Sequence, residues 1–288
     1  MVSGVIRRVR YGMTANFQRE GGGVSCDYFS LHNYGLYSNV STALHDVLAL
    51  HRAGITVRKI DYTKGMYLFK DYIFKDVYPL FFDGFREQGA LLPADLAFDA
   101  WDVHKVYKEL PLRALSKAAN IWFKPSSTVF NMAQEIVKAA GVEPTKTIAM
   151  YYRGTDKVTE IPLVPIDHFI AVAENIDKVT ATSFDILIQT DQAQARQAIM
   201  DRFSTRVRFF KDLPVTTGST AIHNLNFGTE ITLTREDFAI RMMAAVVVMS
   251  QCAYVVTGTG NVGAWIAILR GCTQNLYQFD ANAELQTP

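Results

Sequence analysis

The sequence predicts an α/β fold built on a parallel sheet, on three observations. From residue 147 onward, short apolar runs alternate with helix-patterned stretches, as when strands are joined by helical crossovers. Upstream, a glycine-bearing loop, a helix, a glycine and a strand follow one another between Asn33 and Ile60, which is one half of a nucleotide-binding type of unit. Finally, 49% of the 288 residues are hydrophobic and 20% charged, the proportions of a globular chain with a core to fill. The length exceeds the usual size of one core, and Pro144 marks the expected boundary. An N-terminal α/β domain is therefore expected over 1–143 and a C-terminal one over 144–288.

Residues 1–30 are glycine-rich around Gly21-Gly22-Gly23 and read as irregular. Apolar residues at 40, 43, 44, 47, 48 and 50 give helical spacing, and Gly54 is the stop. Ile55 to Ile60 alternates and predicts a strand. Residues 61–125 are rich in aromatics and aspartates and predict several short helices. Their aromatics serve either a core or a sugar site, and Asp71, Asp76 or Asp83 could meet an acceptor. Ser126 or Ser127 caps a helix running to about Ala140 and ending at Gly141. Beyond Pro144, strands are expected at 147–152, 184–188, 206–210, 253–256 and 276–279. Helices are expected near 166–175, 192–203, 236–249 and 262–270.

Composition excludes several classes. A net charge of +1 gives no basic field for nucleic acid. Cys26, Cys252 and Cys272 form neither a CxxC pair nor a zinc spacing, and Cys252, beside an apolar strand, reads as a small buried hydrophobe. Arg7 and Arg8 break the N-terminal segment, so no signal peptide is expected. No apolar run is long enough to span a bilayer, and a cytoplasmic location is expected.

Three loops carry the candidate chemistry, each where a predicted strand ends. Ligands bind at that edge in open α/β sheets. The first loop, Arg153-Gly154-Thr155-Asp156-Lys157-Val158-Thr159-Glu160, combines a guanidinium fork suited to phosphate with a carboxylate that can accept a proton. The same cluster also reads as a solvated turn with an ion pair. The second is Thr190-Asp191, where Asp191 is either a helix N-cap or a ligand for a sugar or base edge. The third, Thr257-Gly258-Thr259-Gly260-Asn261-Val262-Gly263, contains a GxGxxG sequence between a strand and a helix. With Asp280 further on, it admits an NAD(P)-dependent oxidoreductase. However, the chain ends too soon after Gly263 for the rest of a dinucleotide sheet. Its physical content is a close backbone approach and a helix N-terminus that can cradle a diphosphate. There is no GxxxxGK[ST], HExxH, GxSxG or Asp-x-Asp. Basic side chains and helix ends must therefore neutralise any diphosphate without a metal. Among the histidines, His45 and His51 lie on different sides of their helix, and His168 and His223 are placed near the cleft.

The Arg153–Glu160 stretch resembles the donor-site motif of α1,6-fucosyltransferases and their relatives, the protein O-fucosyltransferases. Thr190-Asp191 resembles their second motif, and Met249 to Gly258 their third. Asn33 to Leu50 is similar to the glycine-containing loop and helix that open their N-terminal domain. The resemblance implies a GT-B-like architecture, with two Rossmann-type domains facing a cleft. It implies an inverting, metal-independent glycosyltransferase that needs no cofactor, with a nucleotide sugar (GDP- or UDP-linked) as donor and a glycan or glycoprotein as acceptor. By the same resemblance, Arg153 holds the diphosphate, Lys157 supports phosphate or base, and Glu160 deprotonates the acceptor hydroxyl. Asp156, Thr190, Asp191, Thr257, Gly258, Thr259, Gly260, Asn261, Val262 and Gly35 complete the expected donor site. The chain departs from the pattern in four places. Gly154 replaces a second arginine, Ala245 an aspartate and Asn261 a serine, and Glu160 stands one residue closer to Asp156. These departures bear on donor recognition and widen the expected sugar from fucose to relatives such as xylose. A non-catalytic glycan- or nucleotide-binding module is the remaining alternative.

Overall fold

A computed structural model describes residues 13–20, 23–32, 35–63, 76–84, 92–155, 162–217, 220, 222 and 225–288. The first half is built on a three-stranded sheet. Strands β1 (Met13–Glu20) and β2 (Gly23–Ser30) form an antiparallel hairpin whose register closes at Glu20↔Gly23. The expectation of irregular chain over 1–30 is thus corrected for these residues. Ala15, Cys26 and Tyr28 point into the core, so a period-2 alternation is present. Helix α1 (Leu36–Arg52) then crosses to β3 (Ile55–Asp61), which pairs parallel with β2. The expected helix and strand are present, and β2 completes them into a βαβ unit that the sequence reading did not include, with the helix beginning one turn earlier than the apolar spacing indicates.

Short helices follow as expected, namely α2 (Tyr78–Phe81), 3-10 turns over Ala100–His104 and Tyr107–Glu109, and α3 (Leu112–Trp122). In helix α4 (Ser127–Ala140), Ser126 Oγ accepts the Val129 amide and Gly141 closes the helix with φ +65°. That left-handed C-cap is the geometry glycine favours.

The second half contains β4 (Thr147–Tyr152), α5 (Ile166–Thr180), β5 (Asp185–Thr190), α6 (Ala193–Phe203), β6 (Val207–Arg208), α7 (Arg235–Gln251), β7 (Tyr254–Gly258), α8 (Asn261–Arg270), β8 (Leu276–Phe279) and β9 (Leu285–Gln286). Strand β6 is shorter than the expected 206–210, α5 is longer than expected, and β9 is an unanticipated antiparallel edge. The sheet order is β6-β5-β4-β7-β8-β9. From β4 the chain moves outward on one side through β5 and β6. It then returns to β7 on the other side of β4 and moves out to β8. The boundary between β4 and β7 is therefore the point where strand order reverses, with a crevice at the carboxyl ends of the strands.

Alternating residues of the sheet feed two cores. Ile148, Met150, Ile186 and Ile188 pack with α5 and α6, whereas Ala149, Leu187 and Val255 face α7 and α8. The second of these cores continues without a break into the first half, where it takes in residues of α1, α3 and α4. Among the described residues, no helix is long and apolar enough to cross a membrane.

Candidate active site

The site grows from the carboxyl end of β4. In register, Tyr152 lies beside Thr190 of β5 and Tyr151 beside Thr257 of β7. All three motif loops therefore leave the sheet at one edge. Arg153 follows β4 directly, with its side chain 35% exposed. It lines one pocket with Gly258 and Thr259, while Leu163, Phe279 and Asp280 form other walls. The arginine and the glycine turn thus flank the reversal point from its two sides.

Asp191 is neither an N-cap nor turned outward. Its Oδ1 accepts the Gly154 amide at 2.9 Å and its Oδ2 accepts the Thr155 hydroxyl at 2.6 Å. Arg153 Nε lies 3.7 Å from the same Oδ2. The carboxylate therefore fixes the path of the loop that presents Arg153. A Cβ at Gly154 would meet Gln192 Oε1 at 2.4 Å and Tyr152 Cε1 at 2.7 Å, so a side chain there would displace the Gln192 amide and the Tyr152 ring. Thr190 is buried, and its hydroxyl accepts the Gln192 amide at the start of α6. Asp191→Ala is expected to strand two donors and cost about 1–3 kcal/mol, read as a lower urea midpoint with unchanged m-value.

The glycine turn is more occupied than its sequence implies. The Thr259 amide donates to Phe279 O and the Gly260 amide to Val103 O, both at 2.9 Å. The Thr259 hydroxyl also reaches Val103 O at 3.0 Å. Gly260 adopts φ +132°, where side chains are strained. The Tyr107 hydroxyl lies 3.1 Å from Gly260 O, and burial raises its pKa well above the ordinary phenol value. Burial first, and Asp191 second, also raise that of Tyr152. Both phenols thus stay protonated at neutral pH. The Asn261 side chain accepts the Ser41 hydroxyl of α1 at 2.7 Å, joining the two halves. Val262 and Thr257 are buried. The first amides of α8, at Asn261, Val262 and Gly263, have no acceptor within the helix.

A dinucleotide would need the turn's own amides, and two of these are committed to carbonyls. Asp280 is engaged as well. Its Oδ1 accepts the Asn282 and Glu284 amides, and its Oδ2 accepts Gln286 Nε2. These commitments count against a phosphate cradle made of the turn's own amides, for a dinucleotide and a nucleotide sugar alike, and leave the first amides of α8 as the donors at this turn.

Asp156, Lys157 and Glu160 lie outside the described residues, as do Asp71 and His223. Gly35 precedes α1, and its carbonyl accepts the Asn39 amide at 3.0 Å. No hydrogen bond joins Gly35 to the pocket among the described residues. The His168 ring lies 6.3 Å from that of Phe279, a pocket wall. Asp76 accepts the Tyr62 and Tyr78 amides and Asp83 accepts the Ser127 amide, so both organise backbone. His45 bonds Phe98 O while His51 packs on Trp122, on separate sides as expected. Cys252 is buried and its thiol is pushed up to about 12 by that burial. Sequence reasoning missed Val103, Tyr107 and Ser41, which grip the glycine turn from far away in the chain.

The fold resembles that of a solved α1,6-fucosyltransferase structure. In particular, the chain superposes on a crystal structure described as NodZ alpha-1,6-fucosyltransferase soaked with GDP-fucose. The TM-score is 0.51 at 14% identity, covering 90% of this chain and 98% of that one. A fucosyltransferase NodZ from Bradyrhizobium gives 0.48 at 13% identity, over 90% of this chain and 97% of that chain. A mutant of Arabidopsis thaliana FUT1 in complex with GDP gives 0.40 at 13%, over 91% of this chain and 51% of that chain. The likeness of fold rests on the first of these. No family model matches the chain, and no curated protein matches it by sequence.

Proposed function

We propose that the chain is a glycosyltransferase that moves a sugar, fucose or a relative such as xylose, from a nucleotide diphosphate to a glycan hydroxyl. The observation that carries this reading is the placement of Arg153 and the Gly258–Thr259 turn on either side of the reversal point, lining one pocket. A shared fold with an enzyme soaked with GDP-fucose supports a nucleotide-sugar donor.

In this reading Arg153 pairs with the diphosphate and stabilises the charge that develops as the sugar–phosphate bond breaks. Asp191 holds the loop so that the guanidinium is preorganised. Lys157 adds a second positive charge. Glu160 takes the proton of the acceptor hydroxyl, whose oxygen attacks the anomeric carbon from the face opposite the diphosphate and inverts it. No metal or cofactor enters the reaction, which we place in the cytoplasm with a glycan or glycoprotein as acceptor.

Calorimetric titration with GDP and with UDP, both in EDTA, tests the proposal. One nucleotide is expected to bind and to raise the melting temperature by mass action. Arg153→Ala is expected to weaken that binding by about tenfold to a hundredfold. If neither nucleotide binds the parent protein, the reading fails. Turnover of a bound nucleotide sugar separates an enzyme from a binding module.

A further inference from the structure

Ser41 of α1 is buried, yet its hydroxyl has three polar neighbours. Trp265 Nε1 lies 3.0 Å from it, Tyr37 O 2.9 Å and Asn261 Oδ1 2.7 Å. Asn261 and Trp265 both belong to α8, one turn apart on the same face. The two halves of the chain therefore meet on one oxygen. We propose that Ser41 is a positioning residue of the donor site. It turns the Asn261 carboxamide so that Nδ2 donates to a phosphate oxygen at the start of α8. This rests on the glycosyltransferase reading.

A serine hydroxyl has one proton to give and two lone pairs to offer, whereas an indole N–H only donates. The Trp265 ring is buried against Tyr37 and Phe123, at centroid distances of 6.3 and 5.9 Å. One Ser41 lone pair is thus committed to the indole. Of the other two neighbours, Tyr37 O already receives the Ser41 amide in the regular ladder of α1. The proton goes to the nearer one, Asn261 Oδ1, which has no other donor among the described residues. The oxygen and nitrogen of a carboxamide point in different directions, so Nδ2 is turned away from α1. Among the described residues Nδ2 has no partner, and it is not sealed in the interior.

Asn261 opens α8 directly after Gly260, on the turn whose Gly258 and Thr259 line the pocket with Arg153. The Ala264 amide is taken by Gly260 O at 2.9 Å, and the three amides before it have no acceptor in the helix. The first turn of α8 contains no acidic residue. A side-chain N–H beside three free amides adds a further donor at the positive end of the helix, which suits an anion. With the carboxamide held by Ser41 in advance, binding has less ordering to do.

The test is calorimetric titration of the parent, Asn261→Ala, Asn261→Asp, Ser41→Ala and the Ser41→Ala/Asn261→Ala double variant with GDP, UDP and inorganic pyrophosphate. Melting without ligand checks that each variant folds. Asn261→Ala is expected to weaken binding by about tenfold to a hundredfold. Asn261→Asp keeps an acceptor for Ser41 but sets a carboxylate oxygen where Nδ2 stood. It is expected to bind more weakly than Asn261→Ala, because like charges then face each other. Ser41→Ala is expected to lose about threefold to tenfold, and to add nothing in the Asn261→Ala background. A purely structural tie would be spared by Asn261→Asp, so parent-like binding by that variant overturns the proposal. Additive losses from Ser41→Ala and Asn261→Ala overturn it as well. If Ser41→Ala does not fold, the ranking of Asn261→Asp against Asn261→Ala gives the direction of the carboxamide with Ser41 intact. A parent that binds pyrophosphate but neither nucleotide ends the glycosyltransferase reading, and the pyrophosphate series still judges Ser41 and Asn261. A parent that binds none of the three overturns both.

Discussion

Replacing Gly263 with alanine is expected to destabilise the protein by about 3 kcal/mol, lowering the melting temperature by roughly 5 °C. A Cβ at this position would meet Gly258 O at 2.5 Å, the Tyr107 hydroxyl at 2.6 Å and Thr257 Oγ1 at 2.7 Å. The nearest of these is backbone, and the other two side chains are buried. Helix α8 would have to move away from β7, disturbing Gly260 and its bonds to Val103 and Tyr107. Gly258→Ala is the matched control, since nothing lies within 4 Å of its added Cβ. It is expected to shift the midpoint far less. Equal midpoints for the two variants in differential scanning calorimetry would show that the close approach of α8 to β7 is not what demands glycine.

The second large effect is expected at Glu160. If it is the base, Glu160→Gln lowers kcat by about 10²–10⁴-fold and leaves nucleotide affinity unchanged. An amide keeps the size of the side chain and removes its proton affinity. Single-turnover transfer measured beside calorimetry separates the two quantities. Unaltered turnover removes Glu160 from the mechanism, and a parallel loss of nucleotide binding would make it a donor-site residue instead.

Much of the second half was legible because its strands are continuous apolar runs between helices, as in a sheet covered on both faces. Reading the loops at the carboxyl edge then required only the order of the strands. For the hairpin of β1 and β2 the sequence does hold a cue, since Ala15 and Phe17 alternate with polar neighbours and Gly23 opens β2. That signal was local and available. The role of Asp191 was not available locally, because its partners Gly154 and Thr155 lie on a different strand end. Nor was the occupation of the glycine turn. Val103 and Tyr107 come from a tract with no clear period, and they meet Gly260 only after the chain has folded.

The unbroken core between α1, α3, α4, α7 and α8 makes residue 143 a seam in the fold rather than a joint. A protein cut there would yield two fragments, each with a raw oily flank and no complete interior of its own. If the proposed donor enters the crevice, the continuous core argues against a hinge between the two halves as the way in.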